Sequence, residues 1–210
     1  LWDKKSKIME IPDIKKEQIK RWKSRPFSWS QFSQFRDYSQ ADWYSKYILG
    51  NPTPTNKRMA FGSAVGKRIE TDPTYIPQLP RGVMEYGIEV MMDDIALVGY
   101  MDSYIQEEKH IHEFKTSSKD GWSQDKVDKH NQLDFYCLLL MLKENIKPEN
   151  VKITLHHLVT EESGDFSIKF ASPFTINSYE TRRSTRDCLL LGAEIIKIRQ
   201  EMEKYIIDHK

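Results

Sequence analysis

The sequence is poor in cysteine and has no long apolar run, and each shortage closes off a class of protein. Cys137 and Cys188 are the only cysteines, too few for a disulfide framework or a four-cysteine zinc or iron-sulfur site within this chain. Both are expected in the core. No stretch reaches the roughly 18 to 20 apolar residues of a membrane helix, and Leu1 to Lys7 lacks the apolar segment of a signal peptide. No membrane association and a cytoplasmic setting are therefore expected, and an opening Leu rather than Met suggests a trimmed or longer polypeptide. An excess of one charge is missing too, since 32 Lys and Arg face 31 Asp and Glu. Any nucleic-acid surface must then come from local segregation of charge. Internal repeats and low-complexity segments are also absent.

What is present describes a soluble globular protein. Hydrophobic residues make up 39% and aromatics 11%, too many for a disordered polymer, and 210 residues can bury one substantial core. Residues 1–58 are expected to form a helical, aromatic-rich segment packed on a core at 59–210, together one compact domain. Ile14 to Pro26 is basic, with Lys15, Lys16, Lys20, Arg21, Lys23 and Arg25 around Trp22. This reads first as a solvated helix face. From Phe27 to Gly50 the aromatic residues recur mainly at three- and four-residue steps, which predicts helix capped by Ser28 or Ser30 and aromatic side chains in the core.

After a Pro-rich loop at 51–56, a helix is expected from near Met59 through Gly62, Gly66 and Glu70. Strands are expected at Glu85–Met92, Ile95–Ile105 and His110–Thr116, the first two joined by a tight Asp93-Asp94 turn. A helix from Gln124 to Lys143, strands at Val151–Val159 and Phe166–Phe170, and a long helix from about Tyr179 to Ile207 follow. Asn177 and Glu180 have the spacing of a capping box for the last. The order predicts an α/β protein with one central mixed sheet flanked by helices.

Side chains two apart on a strand share a face, so Glu113 and Lys115 project together while His112 and Phe114 point away. A hairpin with the preceding strand can bring Asp102 level with Glu113. Two converging carboxylates repel unless a cation lies between them, and such hard oxygen donors suit Mg2+ or Mn2+. Gly62, Gly66 and Glu70 lie four apart on one helix face, where each interior Gly costs roughly 1 kcal/mol against Ala. Small residues there would let the helix approach the sheet and deliver Glu70 to the same spot. Gln132 and Tyr136 form a polar pair one turn apart on an otherwise apolar helix. His110 and His112 fall on the face opposite Glu113 and are expected to be structural or surface groups, while His156 and His157 face opposite ways and cannot easily share a metal. Lys119, Lys126 and Lys129 flank the start of the Gln132 helix as candidate phosphate contacts.

Taken in order, these residues resemble the PD-(D/E)XK nuclease superfamily, in particular its RecB-like and phage-exonuclease-like branches. The likeness covers Met59 to Val159. Gly99-Tyr100-Met101-Asp102 is similar to the family's G-x-x-D, Glu113-Phe114-Lys115 to its E-x-K, and Gln132 to Tyr136 to its Q-x-x-x-Y. Gly66 stands where many RecB-like members have a histidine, and Tyr38-Ser39-Gln40-Ala41 where members with a similar opening have Cys-Pro. An iron-sulfur subclass is thereby excluded.

The resemblance implies a restriction-endonuclease-like core of α-β-β-β-α-β order with an N-terminal helical segment and a long C-terminal helix. It implies a metal-dependent DNA exonuclease of the phage-recombination or DNA-repair type, acting in a bacterial or phage-infected cell. A structure-selective endonuclease or a non-catalytic DNA- or protein-binding domain are the alternatives. Asp102, Glu113, the Phe114 carbonyl and Glu70 would hold one or two Mg2+ or Mn2+ ions, Lys115 would orient the attacking water, and Gln132 and Tyr136 would hold DNA or Lys115. DNA is the expected partner, with a recombination or repair protein and a homo-oligomer as further expectations.

Overall fold

The computed structural model describes residues 11–164 and 167–209. The expectations on Leu1 to Lys7, Asp165 and Phe166 lie outside them. A first helix, α1 (Asp13–Lys23), buries Ile19 and Trp22. Its basic side chains largely serve the chain itself. Lys23 pairs with Glu203 at 2.6 Å, Lys15 donates to the Tyr44 hydroxyl at 3.1 Å, and Arg21 reaches the Ile48 carbonyl.

The aromatic stretch opens on a two-residue strand that periodicity did not indicate, β1 (Phe27–Ser28). Two short helices follow, α2 (Trp29–Ser33) and α3 (Gln40–Trp43), each running on into a π-helical turn. Ser28 caps α2, its side chain accepting from the Gln31 N–H. Most of the aromatic rings are core, as their spacing predicts, with Trp22 meeting Trp43 edge-on at 5.7 Å and Phe35 meeting Tyr205 at 5.8 Å, but Tyr38 is 80% exposed.

Asn56 caps α4 (Lys57–Thr71), and three long strands follow as β2 (Val83–Met92), β3 (Ile95–Ile105) and β4 (His110–Ser117). The helix expected from Gln124 to Lys143 is two pieces, α5 (Gln124–Asp128) and α6 (Asn131–Glu144). The break has a cause remote in sequence. Buried Arg183 donates to the Val127 and His130 carbonyls, at 2.8 and 3.4 Å, at the corner between the two helices.

Next come β5 (Lys152–Glu162), β6 (Ile168–Phe170) and β7 (Ile176–Thr181). The long last helix, α7 (Thr185–Asp208), starts later than predicted. Its capping box is Ser184 with Asp187, not Asn177 with Glu180. Residues 176–181 instead pair antiparallel with β5, from Ile153↔Thr181 to Leu158↔Ile176. An open strand edge outcompeted the local helix signal.

Among the described residues seven strands form one mixed sheet, with β1 parallel to β3, β4 parallel to β5 and the other pairs antiparallel. Strand alternation divides the core in two. Ile153 and Leu155 join the cluster beneath α6, α7 and the N-terminal helices, while Leu158 joins Val65 and Ile69 of α4. The order α4-β2-β3-β4-α6-β5 reproduces the expected core. No helix among the described residues is long and apolar enough to cross a membrane.

Candidate active site

The β3–β4 ladder pairs Ile105↔His110, Tyr104↔Ile111 and Ser103↔His112, and stops there. One residue further, where Asp102 and Glu113 face each other, the Asp102 carboxylate takes the place of the ladder. Its Oδ2 accepts the Phe114 backbone N–H at 2.6 Å. The strands thus part around two acids. Glu113 is 1% exposed, and its Oε1 accepts from Lys115 Nζ at 2.5 Å. Its other oxygen, Oε2, is buried without a hydrogen-bond partner.

The electrostatics follow from this crowding. Burial, and then the negative charge of Asp102, push the Glu113 carboxyl up to about 7 against the opposing pull of Lys115. Burial also raises Asp102, against Lys115 and the Phe114 N–H. For Lys115 burial acts to lower the pKa, but Glu113 and Asp102 outweigh it and hold the ammonium charged.

Asp102 and Lys115 open onto a cleft of about 560 Å3 between α4 and the sheet, whose walls include Gly62, Gly66, Glu70 and Glu85. The two glycines serve differently. A Cβ on Gly62 would meet Thr116 Oγ1 at 2.9 Å, so this residue does allow close packing, whereas a Cβ on Gly66 would meet nothing within 4 Å. The packing reason expected for Gly66 does not hold; it lines the cleft with open space beside its Cα. Glu70 stands on the wall but does not join the acid pair, because both its oxygens take Lys67 Nζ, each at 2.9 Å. No group of three His, Cys, Asp or Glu side chains among the described residues is drawn together around a metal-sized space.

Behind Glu113 a polar chain leads into α6. Gln132 Nε2 donates to the Tyr136 hydroxyl at 2.6 Å, and Gln132 Oε1 lies 3.2 Å from His130 Nε2. Tyr136 is buried against Glu113, and burial followed by the charges of Glu113 and Asp102 raises its pKa well above normal, which keeps it a neutral hydroxyl. Burial, then the charge of Lys115, pushes His130 down to about 4, so its imidazole is neutral. Motif reading missed His130, which precedes the helix, and Glu85, which the strand pattern marked only as a strand end.

The remaining expected groups lie elsewhere. Lys119 is exposed, Lys126 donates to the Asp120 and Gly121 carbonyls at 2.8 and 3.0 Å, and Lys129 pairs with Asp125 at 2.6 Å. None of the three lines the cleft. His112 Nδ1 lies 3.0 Å from His156 Nε2, and His156 Nδ1 2.9 Å from Ser178 Oγ, while His157 bonds Ser117. His112 and His156 lie in phase with Phe114, on the face that alternation predicts away from Glu113, whereas His157 stands opposite Lys115 in the β4–β5 register, on the Glu113 side.

The donor set fits a divalent cation. Two carboxylates share one corner, one buried oxygen has no well-formed hydrogen bond, and burial with the charge of Asp102 raises the Glu113 carboxyl even with Lys115 bonded to it. All the donors are hard oxygens, the kind that Mg2+ and Mn2+ take.

A family model described as the PD-(D/E)XK nuclease superfamily matches residues 65–171. No curated protein matches the sequence significantly. Among solved structures, a phage-related exonuclease from Haemophilus somnus superposes with a TM-score of 0.51 at 10% identity, over 90% of this chain and 92% of that one. An alkaline exonuclease from Laribacter hongkongensis gives 0.51 at 10% identity, over 91% and 94%. An exonuclease candidate from Eubacterium rectale gives 0.56 at 10% identity, over 91% and 85%. At this identity the likeness is one of fold.

Proposed function

The chain belongs to the PD-(D/E)XK nuclease superfamily, and from that premise we propose that it is a metal-dependent DNA exonuclease of the phage-recombination or DNA-repair type. The observation that carries the reading is the corner formed by Asp102, Glu113 and Lys115, where Asp102 and Lys115 line a cleft with the Glu113 carboxylate buried behind them, at the point where two strands part. A module that only binds DNA has no need of mutually repelling carboxylates. The names of the structural neighbours support exonuclease over endonuclease.

Asp102 and Glu113 would hold the cation, with the Phe114 carbonyl beside them and Glu70, whose oxygens take Lys67, completing the site through water. When bound, Mg2+ or Mn2+ lowers the pKa of a water and neutralises charge on the scissile phosphate. Asp102 is kept in place by the Phe114 N–H, and Glu113 by Lys115 with Tyr136 behind it. The Lys115 ammonium orients the attacking water and stabilises charge developing on the phosphoryl oxygens. Gln132 fixes the Tyr136 hydroxyl, and His130, neutral beside it, holds Gln132.

Duplex cleavage is expected in Mg2+ or Mn2+, with Ca2+ supporting binding but little hydrolysis. Undiminished activity in excess chelator would remove the metal mechanism. Lys119, Lys126 and Lys129 are assigned to phosphate contacts outside the cleft. Lys126→Ala with Lys129→Ala should weaken DNA binding and flatten its salt dependence by about one unit of logarithmic slope per lost contact. Binding isotherms in Ca2+ at several salt concentrations check this, and an unchanged slope would take that face off the DNA path.

A further inference from the structure

Strands β2 and β3 pair from Val83↔Tyr104 to Met92↔Ile95, but between Met84↔Ser103 and Tyr86↔Met101 the facing residues Glu85 and Asp102 are unpaired. At this point Glu85 has φ +49°, the left-handed region that crowds the Cβ of any residue but Gly. The side-chain phase of β3 resets there as well. Met101 and Tyr104, three residues apart, are both buried in the same cluster, which a regular strand does not allow.

Irregularities of this kind re-aim side chains beside active sites. Here the two re-aimed residues are both acids, and both line the cleft with Lys115. The Glu85 carboxylate lies within electrostatic reach of Asp102, Glu70 and Lys115. No hydrogen bond holds it among the described residues, whereas Glu70 is taken up by Lys67. A second sign that the corner takes a cation is Glu113 Oε2, which is buried without a well-formed hydrogen bond although the Tyr136 hydroxyl is near the carboxylate.

We propose that Glu85 is the third carboxylate of the metal site, completing with Asp102 and Glu113 a set drawn from the neighbouring strands β2, β3 and β4. The assignment rests on the metal-dependent nuclease reading above. It explains why a non-glycine residue keeps a left-handed backbone inside β2: Glu85 lines the same cleft as Asp102 and Lys115, and since no three such side chains are gathered around a metal-sized space among the described residues, the ion itself would draw the carboxylates in. Glu70, on the opposite wall, then becomes an outer group reached through water.

The test is calorimetric titration of Mn2+ into the protein without DNA, for the parent chain, Glu85→Gln, Glu85→Gly, Asp102→Asn and, as a charge control, Glu89→Gln. Glu89 is exposed on the same strand and does not line the cleft. Mn2+ affinity should fall about tenfold or more in both Glu85 variants, and stay within twofold in Glu89→Gln. Glycine accepts the left-handed backbone, so Glu85→Gly should lose metal while its melting temperature holds or rises. If both Glu85 variants bind Mn2+ like the parent while Asp102→Asn does not, the assignment of Glu85 is overturned and the nuclease reading stands. Equal losses in Glu85→Gln and Glu89→Gln would also overturn it, since net charge alone would account for them. A parent chain without Mn2+ affinity, or an Asp102→Asn variant that binds normally, overturns the metal site itself and Glu85 with it.

Discussion

Lys115→Ala is expected to slow DNA cleavage by about a thousandfold while leaving the protein folded and able to bind a divalent ion. Removing one preorganised donor to a developing negative charge typically costs about 10^2 to 10^3 in rate, roughly 2.7–4 kcal/mol. Lys115 is placed for that role, on the cleft wall with its ammonium held charged by Glu113 and Asp102. The fold should tolerate the loss, because Glu113 already sits near 7 and can take a proton when its partner goes. Asp102→Ala should be as slow for a different reason. It removes a metal donor together with the acceptor of the Phe114 N–H, so metal affinity itself should fall. Single-turnover rates with calorimetry on both variants separate the two losses. Unchanged metal affinity in Asp102→Ala would make that ligand assignment wrong.

Stability should fall as pH drops from about 6.5 towards 4. Burial, then neighbouring histidine charge, holds His112 down to about 3 and His156 to about 4, and His130 also lies at about 4. An unfolded histidine titrates near 6.5. Between these values the unfolded chain binds protons that the folded one refuses. The stability these groups contribute is therefore fully present above about 6.5 and is lost as pH falls, by at most about 1.4 kcal/mol per pH unit for each. Glu113 runs the other way in the metal-free protein. Its folded pKa of about 7 lies above the ordinary 4.5, so it cancels about one histidine over that window. Burial raises Asp102 and Asp134 too, and these oppose the histidines at the acid end of the window, while His110, itself lowered, acts with the histidines. Urea midpoints at pH 7 and pH 5 measure the net, and His156→Gln should flatten the dependence. Equal midpoints at the two pH values, with no change of the pH dependence in His156→Gln, would contradict a neutral His156 in the folded state.

Much of the site was legible because it depends on local periods. Alternation along β3 and β4 put Asp102, Glu113 and Lys115 together and sent His112 to the other face, and one helical turn joined Gln132 to Tyr136. What escaped depends on partners far along the chain. Residues 176–181 carry polar and apolar residues that suit helix or strand, and only the free edge of β5 decides between them. The corner between α5 and α6 is held by Arg183, over 50 residues away. The two-residue β1 exists because β3 offers it a parallel neighbour. Of the two helix glycines, only Gly62 is closely packed, against Thr116, while Gly66 borders open space on the cleft. Glu85 gave no signal, since a left-handed φ in the middle of a strand leaves no mark in residue type when the residue is not glycine.

The measurement closest to the central claim is digestion of an end-labelled linear duplex and of a covalently closed circle of the same sequence, in Mn2+ and in excess chelator. The account predicts that the linear duplex is shortened progressively from its ends in Mn2+, that the closed circle stays intact, and that chelator stops the reaction. Cutting of the closed circle, digestion that continues in chelator, or an inert linear duplex in both Mn2+ and Mg2+ would contradict it.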